Sequence, residues 1–153
     1  KILLCAVVVF AVSGCGGDKE KALELVRSTG LDKQYSTIVE IATVGYAPRY
    51  PWLSRDQIRQ TVRSNLDQDD MTKKFVNIYA KNFDSDELDL IIQANKHPDQ
   101  AMAIILGSKQ GRALAEKSVQ IQASMNQEVQ ESMREQDERI IKSLDKMGKS
   151  NKG

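Results

Sequence analysis

From residue 18 onward, apolar side chains recur at intervals of three and four, the spacing that lines one face of an α-helix. No stretch shows the sustained period-two alternation of a half-buried strand. The pattern predicts a first helix over about 18–29, with Leu23 and Val26 on one face and Gly30 where a glycine commonly follows a helix. A second helix runs over 31–46, with Leu31, Tyr35, Ile38, Ala42 and Tyr46 as its stripe. Another covers 69–81 and buries Phe75, Ile78 and Tyr79. Leu88, Ile91 and Ile92 belong to a helix that stops near His97-Pro98, and Ala101, Ile104 and Ile105 to a short one after it.

Two helix starts follow one grammar. In Ser54-Arg55-Asp56-Gln57 the serine hydroxyl accepts from a first-turn amide while Gln57 reaches back, a capping box, with Leu53 and Ile58 placed to staple it. Asp84-Ser85-Asp86-Glu87 repeats the arrangement with Phe83 and Leu88. Each cap contributes about 1 kcal/mol. Ser108 opens a long helix to about Lys146, along which Leu114, Ser118, Ile121, Met125, Val129, Met133, Ile140, Leu144 and Met147 recur. Beyond Val129 the apolar density falls, so this part is expected to extend past the core or to dock on a partner through its methionine- and glutamine-bearing face. The sequence thus predicts an all-α fold: a small bundle of five to seven helices with a long C-terminal helix, a helical domain over 18–147 and a disordered tail over 148–153.

The N-terminal stretch departs from this pattern. Ile2 to Val12 is an unbroken run of eleven apolar residues behind Lys1. A helix that crosses a bilayer needs about 20. A positive start, a short apolar run and small residues after it make a secretion signal instead. Val12-Ser13-Gly14-Cys15 resembles a bacterial lipobox, which implies cleavage before Cys15 and a diacylglyceryl group on its sulfur, with acylation of the new amino group. The expected organisation is a lipoprotein signal peptide over 1–14 and a lipidated tether over 15–17. One acyl chain binds a membrane reversibly, whereas two or more anchor it. Position 16 is Gly, not the Asp that usually retains a lipoprotein at the inner membrane. In a Gram-negative host the expected address is therefore the outer membrane, with the domain facing the periplasm.

Charge and cysteine content narrow the chemistry. The chain has 22 Lys+Arg against 21 Asp+Glu, one His and two Cys. That balance excludes the basic footprint of a nucleic-acid binder. Cys5 leaves with the leader and Cys15 carries lipid, so no thiol remains for a disulfide, a zinc site or a nucleophile. No cofactor is expected, since glycine-rich phosphate loops and the dinucleotide fingerprint are absent.

Three segments, Leu25-Val26-Arg27-Ser28-Thr29-Gly30, Phe75-Val76-Asn77-Ile78-Tyr79-Ala80-Lys81-Asn82-Phe83-Asp84-Ser85-Asp86-Glu87-Leu88 and Ser108-Lys109-Gln110-Gly111-Arg112-Ala113-Leu114, are together similar to the bacterial domain-of-unknown-function family 2059. The resemblance covers about residues 19–130 and implies an exported all-helical protein with no accepted activity. Asp84 stands where that family has Thr, and Lys109 where it has Pro.

Candidate site residues are few. His97, with Asp99 to orient it, is a candidate general base for an envelope hydrolase, but no Gly-x-Ser-x-Gly elbow accompanies it, and the alternative is an exposed turn or cap residue. Asp67, Asp69 and Asp70, and Asp84, Asp86, Glu87 and Asp89, are oxygen clusters of the kind that hold calcium or magnesium, but they sit at helix starts, where carboxylates cap amides, and no metal site is expected. Tyr46-Ala47-Pro48-Arg49-Tyr50-Pro51-Trp52 gathers three aromatics with two prolines, which are expected to keep its backbone extended. Aromatics beside an arginine are favoured at protein-binding hot spots, so Tyr46, Tyr50 and Trp52 are the candidate partner-binding residues; the alternative is a loop folded over the bundle end, with Trp52 plugging the core. The functional expectation is a non-catalytic interaction module, attached to the membrane by its lipid and meeting an envelope protein. A carrier or sensor of a small apolar ligand is the second reading.

Overall fold

The computed structural model describes residues 17–150, and these form seven α-helices and one 3-10 turn, with no strand among them. The helices are α1 (Gly17–Ser28), α2 (Leu31–Tyr46), α3 (Arg55–Asn65), α4 (Gln68–Asn82), α5 (Ser85–Lys96), α6 (Ala101–Leu106) and α7 (Lys109–Ser150), and the 3-10 turn is Ala47–Arg49. The all-α class, the helix number and the long last helix are as the apolar spacing predicts. Residues 1–16, which hold the expected leader and Cys15, lie outside the described residues, as do residues 151–153.

Local chemistry sets the boundaries. Gly30 takes φ 73° and ψ 32°, a left-handed conformation that glycine adopts without Cβ strain, and this turns α1 into α2. Ser54 and Gln57 form the capping box of α3: the Gln57 amide donates to Ser54 Oγ at 3.2 Å and the Ser54 amide to Gln57 Oε1 at 2.8 Å. Asp84 and Glu87 form the same pair on α5, both bonds 2.9 Å long. The staple residues Leu53, Ile58, Phe83 and Leu88 are all buried. Asp67 caps α4 through the Asp70 amide, and Ser108 caps α7 through the Gly111 amide.

α1 packs on α4 and α5, α2 on α3, and α6 on α5 and α7. α7 is 42 residues long, about 63 Å at the α-helical rise, and meets α6, α5, α4 and α3 in turn. It therefore ties the ends of the bundle together, with Leu114 buried near its start and Ile140 and Leu144 near its end.

Four expectations need correction. The part of α7 beyond Val129 does not project from the core: Gln136, Ile140 and Leu144 are 1%, 3% and 0% exposed. Polar bonds accompany them, from Gln136 to Asp70 and from Asn65 to Ser143, so sparse apolar content was offset by placement. The helix also continues through Gly148 to Ser150, since buried Gly148 lies beneath the Trp52 ring, so the domain does not end at 147. At the other end, Gly17 is the first residue of α1 and not part of the tether. In α4 the most buried side chains are Met71, Val76 and Ile78, with Phe75 and Tyr79 at the edge of the core.

Candidate interaction surface

The aromatic-proline segment is not extended throughout. Ala47 and Pro48 continue from α2 into a 3-10 turn, a place where proline has no intrahelical amide bond to lose. Tyr50, which precedes Pro51, then takes φ −129° and ψ 59°. This geometry turns the aromatic side chains toward the end of α7. The Tyr46 hydroxyl donates to Asp137, and the Tyr50 hydroxyl donates to Asp145 at 2.9 Å. Trp52 meets Tyr50 edge-on, with centroids 5.8 Å apart and planes at 76°. Burial, and then the neighbouring carboxylate, holds both tyrosine hydroxyls above their ordinary pKa.

All three candidate partner-binding residues thus make contacts within the chain. Tyr50 is buried at 3% exposure, and the Tyr46 hydroxyl is bound to Asp137. Trp52 is 48% exposed while one edge covers Gly148. A Cβ at 148 would lie 2.5 Å from the indole Nε1, so the ring needs the bare glycine backbone for its seat.

A different surface is more open. On α2, Val39 and Thr43 are both 0% exposed and fix the inward side. Opposite them lie Gln34, Thr37, Ile41 and Val44, with Gly45 beside them and Pro48 in the turn beyond, all exposed. Ile41 is 68% and Val44 54% exposed. Neither belongs to the stripe that the apolar spacing predicts, Leu31, Tyr35, Ile38, Ala42 and Tyr46. The available signal is that residues 38–46 of α2 carry only one charged side chain, Glu40, which is more apolar content than a partly exposed helix needs for its own core.

Most acids of the candidate ionic clusters face neighbouring groups, and Asp69 and Asp86 are exposed. Asp67 and Asp84 cap helices. Asp70 faces Lys74 at 3.1 Å and accepts from Gln136, and these contacts, with Lys74 the largest influence, lower its pKa. Glu87 pairs with Lys117 at 2.6 Å, and Asp89 with Lys21. Among the described residues no three His, Cys, Asp or Glu gather as metal ligands. His97 is the exposed C-cap of α5, and Asp99 accepts from the Gln100 side chain at 3.5 Å. Between α1 and α4 an open groove of about 400 Å³ is lined by Leu23 and Val76 with Lys19, Glu20, Thr72, Lys73 and Asn77. Among the described residues no helix is long and apolar enough to cross a membrane.

No family model, no curated protein and no solved structure matches the chain. The likeness to family 2059 therefore rests on the three quoted segments alone.

Proposed function

We propose that this protein is a lipoprotein of the bacterial cell envelope, tethered through acylated Cys15, whose helical domain acts as a non-catalytic interaction module. The observation that carries the interaction role is the outward face of α2, where Ile41 and Val44 stand exposed opposite the buried Val39 and Thr43. Contiguous exposed apolar surface rimmed by polar residues is characteristic of interaction sites. Trp52 remains a candidate contact through its exposed half, whereas Tyr46 and Tyr50 serve to hold α7. The tether reading is supported by the apolar run and by the Val12-Ser13-Gly14-Cys15 motif. In a Gram-negative host the tether would lie in the outer membrane, facing the periplasm. The test is incorporation of radiolabelled palmitate in the host, with membrane fractionation, for wild type and Cys15→Ser. Labelled wild type in the membrane fraction and unlabelled Cys15→Ser are expected, and equal labelling of both would refute the tether.

A second reading, a carrier of a small apolar ligand, is favoured by the groove between α1 and α4. Native mass spectrometry of host-made protein tests it. A bound small molecule lost on Val76→Asp would support this reading, and an unliganded mass after gentle purification would count against it.

A further inference from the structure

The near-zero net charge of the chain conceals a separation of charge in the fold. One end of the bundle is built from residues 47–65 and 139–150: the aromatic segment and α3 pack there on the end of α7. Thr61 meets Met147, Asn65 meets Ser143, and Trp52 covers Gly148. These two stretches hold eight Arg and Lys against two Asp, whereas residues 17–46 and 66–138 hold twelve against nineteen Asp and Glu. Both acids of the basic end are engaged, Asp56 by Arg59 and Asp145 by the Tyr50 hydroxyl. Glu40 reaches in from α2 and offsets part of the charge of Arg55 and Arg59. Arg49 and Arg63 are exposed, as are Arg139, Lys142, Lys146 and Lys149 on α7. Lysines in the last turn of a helix complement its dipole, but that effect is confined to the last turn. It does not account for Arg139, nor for the arginines that the turn and α3 bring to the same end.

We infer that this end is a contact for an anionic lipid bilayer, seated on Trp52 and the lysines of α7. Three observations select a bilayer. The hollow that Ile141, Lys142, Asp145 and Lys146 line is open along α7 and encloses no discrete ligand, which suits a broad charged surface. Trp52 stands 48% exposed at the same end. An indole, with an apolar body and one N–H, settles at the level of lipid headgroups. Lysine stems beside half-buried Ile141 can lie on apolar surface while their ammonium groups reach phosphate. The third observation is reach, and it rests on the tether proposed above. Gly16 alone separates Cys15 from the first residue of α1, about 7 Å of chain, so the start of α1 is held at the lipid surface. Lys21 of α1 and Lys117 of α7 both meet the first turns of α5, at Asp89 and Glu87. Lys142 and Lys149 lie 25 and 32 residues beyond Lys117, about 38 and 48 Å along α7. A domain lying along the bilayer can therefore touch it at two points, the lipid and the basic end.

The test uses the full-length lipidated protein from its host, reconstituted into vesicles that contain brominated phosphatidylcholine. The lipid anchor holds the chain in every vesicle, and quenching of Trp52, the single tryptophan, reports contact of the basic end alone. With about one phosphatidylglycerol in three lipids, quenching should be at least about threefold that in phosphatidylcholine alone. It should return to the neutral-vesicle level in about 0.5 M salt. Lys142→Glu with Lys149→Glu should abolish the difference, and Lys33→Glu with Lys109→Glu, equally exposed but elsewhere, should preserve it. Equal quenching in both vesicles, or equal loss in both double variants at unchanged helicity, would overturn the contact while leaving the tether intact. Retention on heparin that depends on Lys142 and Lys149, without lipid quenching, would assign the end to a soluble polyanion and also overturn it. If the host-made chain bears no lipid, its co-sedimentation with the same vesicles decides. Binding at least about tenfold stronger to the anionic vesicles, lost in Lys142→Glu with Lys149→Glu, supports the contact, and no binding up to about 1 mM lipid overturns it.

Discussion

Leu144→Ala tests whether the last third of α7 belongs to the core. The side chain is 0% exposed and sits in the main apolar cluster, between the Asn65–Ser143 and Tyr50–Asp145 bonds. Truncating a fully buried leucine removes its transfer free energy and leaves a cavity, which together cost about 3 kcal/mol, within a range of about 2–5. Against a total stability of about 5–15 kcal/mol this is a large fraction. In a domain of this size it should lower the melting temperature by roughly 10 °C. Urea unfolding followed by circular dichroism gives the equilibrium value. The emission of Trp52, the single tryptophan, gives a second readout at the far end of α7. The two curves should coincide, with a lower midpoint and an unchanged slope. Val119→Ala is the reference: that residue is 75% exposed on the same helix, and surface truncations change stability by about 0.5 kcal/mol or less. If Leu144→Ala cost no more than Val119→Ala, the helix end would be a free arm and the packing described above would be wrong.

Gly148→Ala should fail to yield the roughly 1 kcal/mol that the substitution gives in an open helix, because the new Cβ meets the indole at 2.5 Å; a red shift of Trp52 emission on the folded protein reports the displaced ring. Gln136→Glu should destabilise by at least about 2 kcal/mol at neutral pH, since it buries a carboxylate beside Asp70, whereas Gln136→Leu should stay within about 1 kcal/mol because it also removes an oxygen that has no partner among the described residues; chemical denaturation distinguishes them. Glu40 has a folded-state pKa lowered chiefly by its Arg59 hydrogen bond, so its stabilisation is present above the unfolded carboxylate range near about 4 and is lost as pH falls through the folded value. Arg59→Met should therefore be less stable than wild type at pH 7, and the gap between them should narrow on acid titration of the urea midpoint.

Much of the fold is legible because it depends on local chemistry. Ser54 with Gln57 and Asp84 with Glu87 fix two helix starts within a single turn of chain, and Gly30 marks one end. The course of α7 is less legible. Its last turns contain Gln136 in a buried position, and a glutamine reads as surface until Asp70, 66 residues away, is known to meet its amide. Gly148 reads as a helix stop until Trp52 is placed over it. The aromatic segment stands out by its composition, but its pattern does not distinguish a ring offered to a partner from one bound to Asp137 or Asp145 of the same chain. On α2, the stripe from the sequence missed Val39 and Thr43, which the packing of α3 and α4 turns inward, and thereby missed that Ile41 and Val44 must face out.

The tether is the premise on which the proposed location depends, and the intact mass of the protein made by its own host tests it most directly. The account predicts a chain that begins at Cys15 and exceeds its polypeptide mass by a diacylglyceryl group and, where the amine is acylated, one further acyl chain. A chain that retains residues upstream of Cys15, or one that bears no lipid, would contradict it.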